Sequence, residues 1–236
     1  MIPFCFEYSF TLFKNSVSFF QSPAFSPPAA PSIPSIVSKS GNFKSLKISL
    51  NFLSQFIFAK ASFATKHVMP DVFGNKLGML NEKVRLRVSL MPQKYATVLE
   101  PNTPLIEFRL AQIDMLLVEG YEVHLNFSPV IVTDGWLEEY RDLFIMIDAI
   151  LSPMAKKQMK CEVIFLTHNE KKHQFNVENN LPGENLLWVP ELQETKTSQY
   201  GGVNIRYKHD LKAEYIHQFK CLHDLYIPYC TIRYIF

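Results

Sequence analysis

The chain has 236 residues, of which 47% are hydrophobic and 19% are charged, and its formal net charge is +2. This composition is typical of a folded globular protein and excludes a largely disordered one. A charge so near zero gives no overall attraction to nucleic acid or to an anionic membrane, and no apolar run approaches the roughly 20 residues that a membrane-spanning helix needs.

Residues 1–60 differ in composition from the rest of the chain. They are rich in Ser, Phe and Pro, and Glu7 is their only acidic residue. One interpretation is an organelle transit peptide, but the lack of any arginine before Arg85 argues against it. A second is a secretory signal peptide, which Glu7 and the lack of a basic start disfavour. The third, which we favour, is a gene-model extension fused to a truncated coding region. We expect residues 1–60 to form a low-order extension and residues 61–236 to form the folded domain.

From Ala61 onward, apolar runs of strand length alternate with segments of helical periodicity. The pattern predicts strands over Ala61–Thr65, Val84–Leu90, Glu122–Phe127, Cys161–Leu166 and Thr231–Ile235. It predicts helices over Thr103–Glu119, Gly135–Ile150, His168–Val177 and Asp210–Leu225, with Thr103 and Asp134 as N-caps, and a hairpin over Thr197–Tyr207 built on Gly201-Gly202. Strand–helix alternation of this kind implies parallel βαβ units.

Polar residues stand at the ends of four predicted strands. Lys66, Ser89, Ser128 and His168 each occur at or just after the carboxyl end of an apolar run. Ligand sites of parallel sheets lie at those ends. Each residue alone is most simply a solvated or hydrogen-bonded side chain, but their joint placement predicts one ligand-facing edge.

The cysteines and histidines give weak metal signals. Cys5, Cys161, Cys221 and Cys230 have no zinc or iron–sulfur spacing, and we expect free thiols in a reducing, cytoplasmic environment, with Cys161 a small buried residue. His168 and His173 are compatible with one ligand pair. No third ligand is fixed by local spacing, so structural roles are favoured over a metal.

Four segments together carry a family resemblance. They are Phe63-Ala-Thr-Lys66, Arg85–Pro92, His124–Trp136 and the hairpin Thr197–Tyr207. These segments resemble the C-terminal part of the spore photoproduct lyases, which are radical S-adenosylmethionine (SAM) DNA-repair enzymes. The resemblance implies a partial (β/α) barrel with a β-hairpin and a C-terminal helix.

The same resemblance implies binding roles for particular residues. Lys66, Ser89 and Ser128 match residues that line the family's SAM pocket. In the family the hairpin acts as a wedge at the thymine-dimer lesion, so damaged duplex DNA is the expected partner, and no membrane is expected. By this match the DNA-binding residues would be Gln199, Tyr200, Arg206 and Lys208, although the family commonly has a basic residue at the position of Gln199.

The chain departs from the family at its reaction centre. The family depends on a CxxxCxxC motif that binds a [4Fe–4S] cluster, and this sequence has no such triplet. We therefore expect no cluster in this chain and no activity in isolation; its partner would be a missing N-terminal half. The alternatives are a non-catalytic DNA-binding remnant and a generic α/β ligand-binding domain.

Overall fold

The computed structural model describes residues 60–67, 78–197 and 202–236. The N-terminal extension predicted over residues 1–60 lies outside this part of the chain except for Lys60, as do Gln199, Tyr200 and Gly201 of the hairpin. The strands are β1 (Ala61–Thr65), β2 (Val84–Leu90), β3 (Glu122–Val130), β4 (Lys160–Phe165), β5 (Thr167–His168), β6 (Gln193–Thr197), β7 (Val203–Tyr207) and β8 (Thr231–Ile235).

Helices alternate with these strands. They are α1 (Gln93–Leu99), α2 (Ile106–Ala111), α3 (Ile113–Val118), α4 (Trp136–Ile150), α5 (Pro153–Gln158), α6 (Glu170–Glu178), α7 (Glu184–Leu187) and α8 (His209–Tyr226), with short 3-10 turns at Gly78–Lys83 and Pro190–Leu192. In the described ranges, no helix has the length and apolar character needed to cross a bilayer.

Five strands form one parallel sheet in the order β1-β2-β3-β4-β8. The stepwise order of parallel strands, with helices between β2 and β3, between β3 and β4, and between β4 and β8, confirms the predicted partial (β/α) barrel. A second, antiparallel sheet in the order β5-β7-β6 contains the predicted hairpin. It follows directly after β4, so the hairpin stands at the carboxyl edge of the parallel sheet.

The two faces of the parallel sheet have different chemistry, because side chains alternate along each strand. One face is apolar and packs against the helices. There, the rings of Phe127, Phe144 and Phe219 meet edge to face at centroid distances of 5.5–5.8 Å. We call the other the polar face, and it carries Arg85, Arg87, Ser89, Glu122, His124, Asn126 and Glu162.

Four details of the predicted helices are wrong. The helix expected over Thr103–Glu119 is two helices that meet at Gln112. Thr103 does not cap it: its hydroxyl donates to the carbonyl of Glu100 instead, and the side chain of Gln93 accepts the N–H of Ile106, where the first helix begins. The physical reason is that a neighbouring helix supplies the cap, which no local pattern reveals.

Asp134 is likewise not an N-cap. Helix α4 begins after Gly135, whose φ of 74° is in the left-handed region that glycine tolerates, and no side chain caps the end. The helix expected from His168 starts later, because His168 pairs with Ile205 in the second sheet and Asn169 accepts the first free N–H, from Lys172, at 2.9 Å.

Candidate functional site

The polar face is held together by ion pairs at its centre. Arg87 Nη1 and Arg233 Nη1 lie 2.9 and 2.7 Å from the two carboxylate oxygens of Glu162. Burial acts to raise the pKa of Glu162, but the hydrogen bonds from Arg87 and Tyr234 outweigh it and the pKa is lowered. The carboxylate is therefore charged and fixes the arginines in place.

A second set of charges lies towards the amino ends of the strands. Glu122 binds Lys60 Nζ at 2.7 Å and Arg85 Nε at 2.9 Å, and His124 Nε2 lies 2.9 Å from the same carboxylate. Burial is the main cause that lowers the pKa of His124 to about 4. His124 is consequently neutral at pH 7 and donates one N–H to Glu122.

The three residues predicted to bind a cofactor lie at the carboxyl edge of this face. Ser89 pairs in register with Asn126, and extending the β1–β2 register by one residue sets Lys66 beside Ser89. Ser128 lies two residues beyond Asn126, at a register shift in β3 and before Pro129 in a cis peptide bond. The structure thus brings Lys66, Ser89 and Ser128 to one edge, and their binding role stays a prediction.

Two polar atoms at this edge bear on what could bind there. Asn126 donates its amide to Ser89 Oγ at 3.3 Å, and its own carbonyl oxygen is buried without a hydrogen-bond partner. Ser89 can still donate its hydroxyl hydrogen. Amino and hydroxyl groups of a ligand such as SAM match an unpaired acceptor, so the donors and acceptors present fit such a ligand.

A buried ion pair at the same edge was not predicted from the sequence. The side chains of Glu100 and Arg109 are each 1% exposed and meet at 2.8 Å, and Lys66 Nζ binds the other Glu100 oxygen at 2.9 Å. Arg109 also donates to the carbonyl of Ser89 at 2.9 Å. The signal that could have revealed this pair is the arginine itself, because it lies on the apolar face of an amphipathic helix, where a charge requires a buried partner.

Two shallow pockets flank the loop between β3 and α4. Their volumes are about 420 and 490 Å³, and Thr133 and Asp134 line both. Lys66, Ser89 and Ser128 line neither pocket. The pockets therefore mark the same edge of the sheet as the predicted cofactor residues but do not coincide with them.

Two of the hairpin residues predicted to bind DNA, Arg206 and Lys208, form hydrogen bonds within the protein. Arg206 lies opposite Glu194 in the β6–β7 register and donates to its carboxylate from Nε at 3.1 Å and Nη2 at 2.9 Å. Lys208 donates to the carbonyl of Glu191 at 2.7 Å. Both cations lie at the hairpin base, and each keeps N–H groups that can meet phosphate.

Two clusters of metal-ligating side chains form, of which sequence spacing indicated only the pair His168 and His173. Cys161 Sγ lies 3.8 Å from His223 Nε2, and the Cys230 sulfur is within 4.8 Å of both. The hydrogen bond from Cys230 lowers the pKa of Cys161, with His223 acting in the same direction against burial. The described cysteines Cys161, Cys221 and Cys230 are all free thiols, as predicted. The second cluster joins His168, His173 and Glu184.

A family model described as spore photoproduct lyase matches residues 25–236 of this chain. The chain belongs to the spore photoproduct lyase family. The match begins inside the segment assigned above to an extension, so the domain boundary at residue 61 stays a prediction. The spore photoproduct lyases are radical SAM DNA-repair lyases, whose cofactors are SAM and an iron–sulfur cluster.

Individual relatives agree with this assignment. The chain is 25% identical over 196 residues to the spore photoproduct lyase of Bacillus subtilis (strain 168), covering 80% of this chain and 54% of that protein. It superposes with a TM-score of 0.72 and 21% identity on a spore photoproduct lyase double mutant with bound AdoMet and dinucleoside spore photoproduct, covering 82% of this chain and 56% of that one.

Another structure gives the same result. A spore photoproduct lyase complexed with dinucleoside spore photoproduct matches with a TM-score of 0.71 and 21% identity over 81% of this chain and 56% of that one. At this identity the superposition shows a shared fold. The chain spans about half the length of these relatives.

The thiols of the described ranges do not converge as the family's iron–sulfur cluster requires. Such a cluster needs three protein thiolates that converge on it when SAM fills the fourth position. Within the described ranges only Cys161 and Cys230 converge, and they do so on the apolar face of the sheet, away from the polar face that carries Ser89. Cys221 is exposed, 3.8 Å from His217 on α8.

Proposed function

We propose that this chain supplies the C-terminal, SAM- and DNA-binding half of a spore photoproduct lyase barrel and does not cleave SAM by itself. The observation that carries the proposal is that Lys66, Ser89 and Ser128 lie together at the carboxyl edge of a family-type sheet. The cluster thiolates that start the family's radical chemistry would have to come from residues that this sequence does not contain.

The roles of the three residues follow from their chemistry. The ammonium group of Lys66 is about half exposed and already bound to Glu100, and it has further N–H groups for the carboxylate of SAM. Ser89 and Ser128 offer hydroxyls to ribose or carboxylate oxygens, and the unpaired Asn126 oxygen accepts from an amino or hydroxyl group. When bound, SAM is the source of the family's radical; the residues named here hold and orient it.

Calorimetric titration of the purified chain with SAM tests this proposal. We expect saturable binding of one SAM, weakened about 2- to 10-fold by Ser89→Ala, which removes one hydrogen bond worth about 0.5–1.5 kcal/mol. Lys66→Ala should weaken binding as well. Lys156→Ala is the matched control, because Lys156 pairs with Asp148 in the helix layer and lines neither pocket. Binding that Lys66→Ala and Ser89→Ala both leave unchanged would contradict the assignment.

The DNA part of the proposal rests on the hairpin. Tyr200 would stack in the space left by an extruded lesion, Gln199 would reach base edges, and Arg206 and Lys208 would meet phosphates. The pKa of Lys212 is lowered, first by burial and second by repulsion from the nearby Arg206. A cluster of cations at the hairpin base supports contact with a polyanion, although the net charge of the chain is small.

Anisotropy titrations of labelled duplexes at two salt concentrations test the DNA part. We expect tighter binding to duplex carrying a thymine lesion than to intact duplex, and Tyr200→Ala should remove the difference. Lys208→Ala should weaken binding to all duplexes and reduce the salt dependence, because it removes one phosphate contact. Equal affinity for damaged and intact DNA, unchanged by Tyr200→Ala, would exclude lesion recognition while leaving the SAM proposal standing.

A further inference from the structure

Two histidines and a glutamate converge beside the base of the hairpin. His168 Nε2 lies 3.0 Å and His173 Nδ1 lies 2.6 Å from the same oxygen of Glu184, and the ligand atoms are all within 4.8 Å of one another. The other Glu184 oxygen accepts a hydrogen bond from the amide of Asn176. The carboxylate is therefore aimed at both imidazoles through one oxygen.

Three separate elements hold the cluster in place. His168 is fixed in β5 by its pairing with Ile205 of the hairpin strand β7. His173 lies on α6, which Asn169 caps, and its ring stacks on Trp188 at 3.9 Å and 11°. Glu184 begins α7 immediately after Gly183, whose φ of 83° sets the direction of the turn. The three ligands thus come from three successive elements, β5, α6 and α7.

We propose that His168, His173 and Glu184 form a binding site for a divalent transition metal ion, of which Zn²⁺ is the best match. Two imidazole nitrogens and one carboxylate oxygen are a common zinc donor set, whereas Ca²⁺ and Mg²⁺ prefer oxygen ligands throughout. The site holds three protein ligands. A water molecule can complete a tetrahedron because the side chains of His173 and Glu184 are 23% and 12% exposed.

The observed distances suit this geometry. Donor atoms about 2.0–2.2 Å from zinc lie roughly 3.3 Å apart at the corners of a tetrahedron. The contacts of 3.0 and 2.6 Å would therefore lengthen by roughly 0.3 and 0.7 Å as the ion replaces the shared protons. Asn176 then serves as the outer partner that orients the liganding carboxylate, as such partners do in zinc proteins.

The site has a consequence for the hairpin. A metal ion would join β5, which is paired to β7, to the helices α6 and α7, so the base of the hairpin would be tied to two further elements. Because the ion binds only the folded arrangement, its binding raises the stability of that arrangement by mass action. This role is independent of SAM and of DNA, and its failure would leave the proposed function untouched.

Titration of the purified, metal-free chain with Co²⁺ as a spectroscopic substitute for Zn²⁺ tests the proposal. We expect one Co²⁺ per chain with visible bands of a four-coordinate nitrogen–oxygen site, displaced by Zn²⁺, and a higher Tm with either ion. His173→Gln and Glu184→Gln should each abolish the bands. Asn176→Ala should weaken binding about 10- to 100-fold without removing a ligand.

The controls separate this cluster from other binding groups. His209→Gln changes an exposed histidine that lies outside the cluster and should leave the titration unchanged. All variants carry Cys221→Ser, which removes the adventitious pair of His217 and Cys221. Circular dichroism and Tm without metal check that each variant folds.

Three results would overturn the proposal. They are the absence of Co²⁺ binding, binding unaffected by His173→Gln and Glu184→Gln in folded variants, and near-ultraviolet thiolate-to-cobalt absorption that Cys161→Ser removes. The last of these would place the ion at Cys161, His223 and Cys230 instead.

Discussion

Replacing Arg109 with methionine tests whether the buried ion pair holds the carboxyl edge of the sheet. The change removes the 2.8 Å contact with Glu100 and the hydrogen bonds to the carbonyls of Ser89 and Pro104. Removing one partner of a buried pair costs about 3–5 kcal/mol, because the other charge is left without compensation. Lys66 still binds Glu100, so we expect a loss near the lower figure, about 3 kcal/mol.

Urea unfolding followed by circular dichroism measures this loss. A change of about 3 kcal/mol in a domain of this size also lowers Tm by roughly 6–12 °C. Arg206→Met is the matched control, because its pair with Glu194 is partly exposed, with side chains 22% and 36% accessible, and such a pair contributes less than one that is fully buried. The double variant Glu100→Gln/Arg109→Met should be more stable than Arg109→Met alone, since no unpaired charge remains. The reasoning is refuted if Arg109→Met costs no more than Arg206→Met.

Two further changes test other parts of the structure. Burial acts to raise the pKa of Glu122, but its two cationic partners outweigh burial and lower the pKa from 4.5 to about 2. The stability that Glu122 contributes is therefore full above about pH 4.5 and is lost as the pH falls towards 2. Glu122→Gln should flatten the decline of Tm over that range. Gly183→Ala should cost about 2–4 kcal/mol in urea unfolding, because φ is 83° and a Cβ would lie 2.5 Å from Leu99 Cδ2. Gly135→Ala, with φ of 74° and no contact closer than 3.8 Å, should cost only about 1–2 kcal/mol, and equal losses would contradict the packing argument.

Periodicity predicted most of the parallel sheet. The bounds Ala61–Thr65, Val84–Leu90 and Thr231–Ile235 are confirmed without a shift. In Val84–Leu90, apolar side chains alternate with polar ones, and Pro92 follows shortly after the strand ends. The placement of Lys66, Ser89 and Ser128 at one edge also followed from the sequence, since parallel strands end at the same side.

The sequence did not predict the features that depend on tertiary contacts. Thr103 was expected to cap a helix that Gln93 caps from the preceding helix. The spacing of His168 and His173 predicted only a pair of ligands, because the third ligand, Glu184, lies on a later helix. Cys161 and Cys230 are 69 residues apart in sequence (230 minus 161) and meet only through β4 and the turn after α8. Spacing along the chain carries no information about such pairs.

Hydrogen–deuterium exchange of the chain with and without SAM tests the central claim most directly. If the polar face at the carboxyl edge binds SAM, amides of residues 64–67, 87–91 and 126–130 should be protected by the ligand, while the outer helix α6 should exchange as before. The protection should disappear in Lys66→Ala/Ser89→Ala. Protection confined to other segments, or none at saturating SAM, would contradict the account.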